Sequence, residues 1–422
     1  MKNRKSFLVC CVLLALIIAT SALFGCTPST PAGTTPSTPA DTTPSTPSDE
    51  VKTLRIGALF SMTGMFSVRE IPDYNETIIM ADMINEDGGI TVQGQKYNIE
   101  IVVEDCKTTM DGVTAAATKL VFDEGIKFTL GPTAFFASAA GPICDPNQVL
   151  RCITWCVHTP GEIDSSTPYA FLASNGSIIH STALVNFIKE NYPDVKKVAL
   201  ATVEDGAQGF VGPLATDLLK SNGIEVVGDM IMWPNEMQDM SPIVAKVNAI
   251  KDADALFVQN GLGPHFAGIV KGLYETGNNI PVFGSLPTLI NEVVMVAGED
   301  ATKGVVTVAY SLDAPGLPPL AKELIERTYA EYGEDYPLLL TGADSLYVLC
   351  QMIEKADSLD PAKVKETWEN TDTIDTIFGE ACISGDQTFG LKHHVVPAPQ
   401  GIQYMDENGE VHSILVNVGC IP

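Results

Sequence analysis

The stretch Leu54-Arg55-Ile56-Gly57-Ala58-Leu59-Phe60 is followed by an amphipathic segment over Tyr74 to Asn85, a stop at Asp87-Gly88-Gly89 and a second apolar run at Ile99 to Val103. Seven residues rich in apolar and β-branched side chains predict a buried strand, and the Asp-Gly-Gly stop predicts the end of a helix. Strand, helix and strand joined by short loops predict a parallel pair with a right-handed crossover.

The same grammar continues outward. Val113, Ala116, Ala117, Leu120 and Val121 fall on one helical face that ends at Gly125. It restarts with a strand at Val198 to Val203 and a helical face of Val211, Leu214, Ala215, Leu218 and Leu219, stopped by Asn222-Gly223. Further strands are expected at Ala255–Gln259, Pro281–Phe283 and Val305–Ala309. Two such series predict an α/β protein of two Rossmann-like lobes, each a parallel sheet flanked by helices. Ligands sit off the carboxyl ends of strands in sheets of this kind. The loops after Phe60, Leu130, Thr154, Val203, Gln259 and Phe283 are therefore the places to look for a site.

The first 50 residues have a different character. Lys2, Arg4 and Lys5 precede an apolar run from Phe7 to Thr20 that is too short to span a bilayer, which predicts an export signal. Leu23-Phe24-Gly25-Cys26 resembles the bacterial lipobox, and this resemblance implies cleavage after residue 25 and lipidation of Cys26. Three octads, TPSTPAGT, TPSTPADT and TPSTPSDE, then run to Glu50. With prolines throughout and almost no apolar side chains, they predict an extended tether reaching on the order of 70 Å at roughly 3.1 Å per residue. The expected organisation is a signal over 1–25, the lipidated cysteine and linker over 26–50, a first lobe over 51–173 and 311–381, and a second lobe over 174–310 and 382–422.

Composition excludes several functions. A formal charge of −27 makes nucleic acid a poor partner. No G-x-S-x-G elbow, phosphate-cradling loop or H-E-x-x-H helix occurs, and no enzymatic activity or cofactor is expected. Seven of the ten cysteines remain after the signal and Cys26 are set aside, an odd number that leaves at least one thiol free. Cys382 and Cys420, both near strand-like ends, are the expected bridge. Cys152, Cys156 and His158 share parity along an extended strand, which would suit zinc, but C-x3-C-x-H is not a standard spacing and a metal site is not favoured.

The segments LRIGALFSMTG (54–64), INEDGGI (84–90), IEIVVED (99–105), LGPTAFFASAAGPI (130–143), NNIPVFGS (278–285), KGVVTVAYS (303–311) and YAEYGEDYP (329–337) resemble, in order and spacing, the branched-chain amino-acid binding proteins. These are type I periplasmic binding proteins of ABC importers. The resemblance implies two lobes joined by three crossing strands, a small-molecule ligand between them, an ABC permease as partner, and a monomer held outside the cytoplasm by the lipid on Cys26. It equally admits a sensor that reports to a signalling partner, and an amide or urea receptor.

The chain departs from that family where its ligand is held. Phe135, Phe136 and Ala137 stand where small polar residues are usual, and Trp155-Cys156-Val157-His158 follows the next strand. Ala207, before Gln208, replaces a tyrosine, and Leu286 replaces the acid that meets a ligand ammonium. Unless Glu204 or Asp205 substitutes for it, a buried ammonium would lack a partner, at a cost of several kcal/mol. The expected ligand is instead an aromatic or apolar carboxylate, walled by Phe66, Phe135, Phe136 and Trp155. Arg69 and His158 would hold its anionic end, with Ala137, Cys156, Gln208, Leu262 and Leu286 also expected at the site.

Overall fold

The computed structural model describes residues 50–421 apart from positions 205 and 398 and the side chain of 135. The expectations for the signal, for Cys26 and for nearly all of the linker lie outside the described residues. Among the described residues, no helix is long and apolar enough to cross a membrane.

The first half of the chain supplies strands β1 (Lys52–Phe60), β2 (Ile90–Val92), β3 (Gln95–Asp105), β4 (Phe128–Leu130), β5 (Leu150–Ile153) and β6 (Ala170–Leu172). Next come β7 (Lys197–Glu204), β8 (Glu225–Val226), β9 (Ile231–Pro234), β10 (Ala255–Gln259), β11 (Val282–Gly284) and β12 (Val305–Val308). The last are β13 (Thr373–Thr376), β14 (Gly379–Ser384), β15 (His394–Val396), β16 (Gln400–Met405) and β17 (Val411–Val416). One sheet has the order β13-β14-β15-β6-β5-β4-β1-β3-β2 and the other β17-β16-β12-β11-β10-β7-β8, with β9 also paired to β7. Both have the parallel heart that the sequence predicts. Leu54, Ile56 and Ala58 lie opposite Ile99, Ile101 and Val103, and Ala255 and Phe257 lie opposite Val198 and Leu200. In each sheet one strand, β1 or β7, has neighbours that leave in opposite directions, the arrangement that opens a crevice at the carboxyl ends.

The chain passes between the sheets after Leu172, after Val308 and after Val396. His394 pairs with Leu172, Ala309 donates its N–H to the Gly401 carbonyl at 3.0 Å, and the Tyr310 hydroxyl donates to Gln400 Oε1 at 2.9 Å, so the crossings run side by side. Gly401 allows this approach, because a Cβ there would stand 2.2 Å from the Ala309 carbonyl oxygen. The third passage comes later than the expected change at 382. β14 and β15 extend the first sheet as an antiparallel meander, burying Ala381, Ile383 and Val395 in the first core. Cys382 and Cys420 form a disulfide, and the other five cysteines of the body are free and buried.

The helix Ser67–Glu86 begins seven residues before the expected segment. Its early turns carry no apolar stripe, because Glu70, Asp73 and Glu76 themselves occupy buried positions. It packs against the helix Thr341–Ala356, where Gly342 leaves room for the contact. A Cβ there would lie 2.3 Å from Thr77 Oγ1 and 3.0 Å from Phe60.

On the second of these helices Asp344 is fully buried. Its Oδ1 accepts from the Ile377 N–H at 2.9 Å, its Oδ2 has no partner among the described residues, and burial pushes its carboxyl up to about 8. An unfolded aspartate ionises near pH 4. Between about pH 4 and 8 the unfolded chain therefore holds fewer protons than the folded one, and this group lowers stability as pH rises through that window. Asp344→Asn keeps the Oδ1 acceptor and removes the ionisation. It should leave urea-unfolding stability near pH 4 almost unchanged and raise it by on the order of 1–3 kcal/mol at pH 8. An equal effect at both pH values would refute this account.

Candidate functional site

A cleft of about 710 Å³, counting the space open at its mouth, lies between the carboxyl ends of the two sheets. Every loop named from the sequence reaches it. Phe66 and Arg69 follow β1, Thr133 and Ala134 follow β4, and Trp155 and Val157 follow β5; Val203 is the last residue but one of β7, Asn260 and Leu262 follow β10, and Leu286 follows β11.

The wall is mainly apolar. Ala134, Trp155 and Val157 of the first lobe pack with Ala207, Val211, Leu262 and Leu286 of the second. Trp155 is 8% exposed, meets the His180 ring edge-on at 4.8 Å, and has the Arg69 guanidinium 6.0 Å from its ring centre. Phe66 sits edge-on to Phe136 at 5.6 Å.

Arg69 is the one cation in this wall among the described residues, and it is only partly covered. No hydrogen bond or ion pair of its side chain occurs among the described residues. Burial works against its charge, while Asp73, Glu70 and Glu292 favour it from a distance. Two of those acids also line the cleft. Glu70 accepts the Ser61 N–H, and burial pushes its carboxyl up to about 7. Asp73 accepts from the Thr341 hydroxyl and the Gly342 N–H, both at 2.7 Å, and burial pushes it up to about 6. Glu70 Oε2 thus fastens the loop after β1, and both oxygens of Asp73 fasten the start of the helix Thr341–Ala356.

Of the residues expected at the site, Phe66, Arg69, Trp155, Leu262 and Leu286 come together around the cleft. Phe136, Ala137, Cys156, His158 and Gln208 do not line it. Phe136 is buried against the helices beside β1 and β4, because the turn Ala134–Phe136 coils its side chain inward. Ala137 is fully buried, and its carbonyl accepts from Arg151 Nη1 at 3.0 Å. Cys156 points to the opposite side of its loop, among Ile153, Ile163 and Leu172. His158 stacks on Phe389 at 5.0 Å, away from Arg69, and burial holds it neutral by lowering its pKa to about 4. Gln208 turns back to accept the Gly206 N–H. Phe135 has a side chain outside the described residues. Cys152 is in the first-lobe core, so it does not converge with Cys156 and His158 on a metal site.

Sequence reasoning missed Glu70, Asp73, Asn235, Asn260 and Thr341. The cleft therefore does carry acids, although none stands at Leu286; Glu204 is exposed and Asp205 lies outside the described residues. The two carboxylates precede the segment that reads as a helix, and only the unusual density of charge in Arg69-Glu70 and Asp73 signalled them.

Two lobes with a cleft at the strand ends define a class of hinged binding proteins, and residues 53–398 match the family model described as periplasmic binding protein. The chain belongs to this family of ligand-binding, non-enzymatic proteins. Its fold is similar to that of the branched-chain amino acid transporter substrate binding protein LivJ of Streptococcus pneumoniae in complex with isoleucine, which is 20% identical over 87% of this chain and 100% of that one, with a TM-score of 0.68. A solute binding protein of an ABC transporter from Rhodopseudomonas palustris in complex with 3,4-dihydroxy benzoic acid is 21% identical over 86% of this chain and 96% of that one, with a TM-score of 0.68. A second R. palustris solute binding protein, in complex with benzoate, is 17% identical over 86% and 96%, with a TM-score of 0.64.

The chain has three tryptophans, of which Trp233 and Trp368 are fully buried and do not line the cleft. Ligand entry should change the emission of Trp155 alone. The change should disappear in Trp155→Phe while the melting temperature stays within a few degrees, and a signal that survives the substitution would place the ligand elsewhere.

Proposed function

We propose that this protein is the extracytoplasmic receptor of an ABC importer, held to the membrane by a lipid on Cys26, and that it captures a small aromatic or apolar carboxylate between its lobes. The observation that carries the reading is the Arg69 guanidinium. It faces the cleft with no hydrogen bond or ion pair among the described residues, and closing a site over an unpaired cation is costly. A carboxylate would satisfy it with two parallel N–H···O bonds. The flat faces of Trp155 and Phe66 suit an aromatic body. That two proteins of the same fold hold benzoate and a dihydroxybenzoic acid is in keeping with this ligand class.

One observation favours a second reading. Glu70 and Asp73 beside Arg69 supply the acid that an α-amino acid requires, and one protein of the same fold holds isoleucine. Against it, both carboxyls already accept hydrogen bonds from the protein.

A thermal-shift series on the body from Val51 onward separates the two, since a ligand that binds only the folded state raises the melting temperature. Benzoate-like acids should stabilise it and leucine should not, and Arg69→Gln should weaken acid binding about 100-fold. Stabilisation by leucine alone would sink the carboxylate assignment in favour of the amino acid. The anchor is tested separately: Cys26→Ala should move the expressed protein from the membrane fraction to the soluble one, and an unchanged distribution would remove the lipid.

A further inference from the structure

Asn260 stands at the end of β10, in the wall of the cleft supplied by the second lobe. It is 94% buried by its 6% exposure, and its backbone has φ 54°, a left-handed conformation that asparagine tolerates better than most residues. Four buried side chains surround it. Ser177 Oγ donates to its Oδ1 at 3.2 Å, Gln259 Nε2 donates to the same oxygen at 3.3 Å, and Ser181 Oγ fixes Gln259 by donating to Oε1 at 2.8 Å. Its own N–H donates to Ser285 Oγ at 3.2 Å.

Ser177 and Gln259 both donate to one end of the Asn260 amide, which is assigned as the oxygen on that network. The remaining end, Nδ2 with two protons, has no partner among the described residues. It opens onto the cleft, and strained backbone held by a surrounding network is characteristic of functional positions. Ser177, Ser181, Gln259 and Ser285 all serve the orientation of one group that they do not themselves satisfy.

We infer that Asn260 is a specificity-determining residue whose Nδ2 donates to an acceptor oxygen on the ligand, so that the preferred ligand is an oxo- or hydroxy-substituted carboxylic acid rather than a plain hydrocarbon acid. This rests on the carboxylate reading for one end of the ligand only. Arg69 belongs to the first lobe and Asn260 to the second, so a molecule that satisfies both holds the lobes together. An acid that lacks the oxygen leaves Nδ2 unpaired, and sites built around a hydrogen-bonding group discriminate strongly against analogues that lack its partner.

The test is calorimetric titration of the wild-type body with paired probes: benzoate against 4-hydroxybenzoate and 4-acetylbenzoate, and leucine against its near-isostere asparagine. The oxygen-bearing member of the pair that binds should be favoured about tenfold. Asn260→Asp keeps the acceptor for Ser177 and Gln259 and deletes the donor, while Asn260→Gly suits the left-handed backbone and deletes the whole amide. Both should fall further in affinity for the oxygen-bearing probe than for its partner, bringing the ratio near one. No preference in the wild type, or a preference that survives both substitutions, would overturn the role of Asn260. Arg69→Gln reads the other end independently: equal loss across acids supports the carboxylate, and undiminished binding would overturn the acid class while the Asn260 ratio still reports on the oxygen.

Discussion

Three carboxyl groups on one helix hold the binding face together. Glu70, Asp73 and Glu76 project from the helix Ser67–Glu86 into places where backbone N–H groups have no other partner: Ser61 after β1, Gly342 at a helix start, and Leu339 and Leu340 just before it. The orphan donors at a helix N-terminus and a left-handed residue such as Leu340, at φ 62°, need acceptors, and these side chains provide them. The cost is desolvation, which pushes all three carboxyls above their ordinary range. In return Arg69, on the same turns, is carried at a fixed height into the cleft. Were the acids to release their backbone partners, the cation would lose its aim as well as its neighbours.

The alternation of apolar runs was enough to read the sheets, because strands buried on both faces leave an uninterrupted signature. The six loops at the cleft could be read for the same reason: they follow directly from strand ends. Side-chain direction could not be. Phe136 and Trp155 look alike in sequence, yet a short helical turn sends the first into the core while an extended loop leaves the second in the wall. Cys156 and His158 were placed at the site by adjacency to Trp155, whereas successive residues of an extended loop face opposite ways. Asn260 was hidden because its role depends on Ser177 and Ser181, some eighty positions away in the chain. The third passage between lobes was misplaced because an antiparallel meander, β13 to β15, carries no marker of which sheet it joins.

The cleft thus opposes a cation in one lobe to an amide donor in the other, across an apolar middle. Apolar burial contributes affinity with little direction, while the two polar ends define length and orientation. The chain carries a formal charge of −27, so an anionic solute gains no long-range steering from it and is attracted within the cleft by Arg69. Selection is therefore concentrated at the last stage of entry rather than in long-range steering.

The Cys382–Cys420 bridge joins β14 of the first sheet to the segment beyond β17 of the second, and Ser384 nearby donates its hydroxyl to the Ile421 carbonyl. Three crossing strands alone would let two bodies twist, shear and bend about one another. A covalent strut beside the crossings restricts that freedom, because residues 382 and 420 are held together whatever the two sheets do.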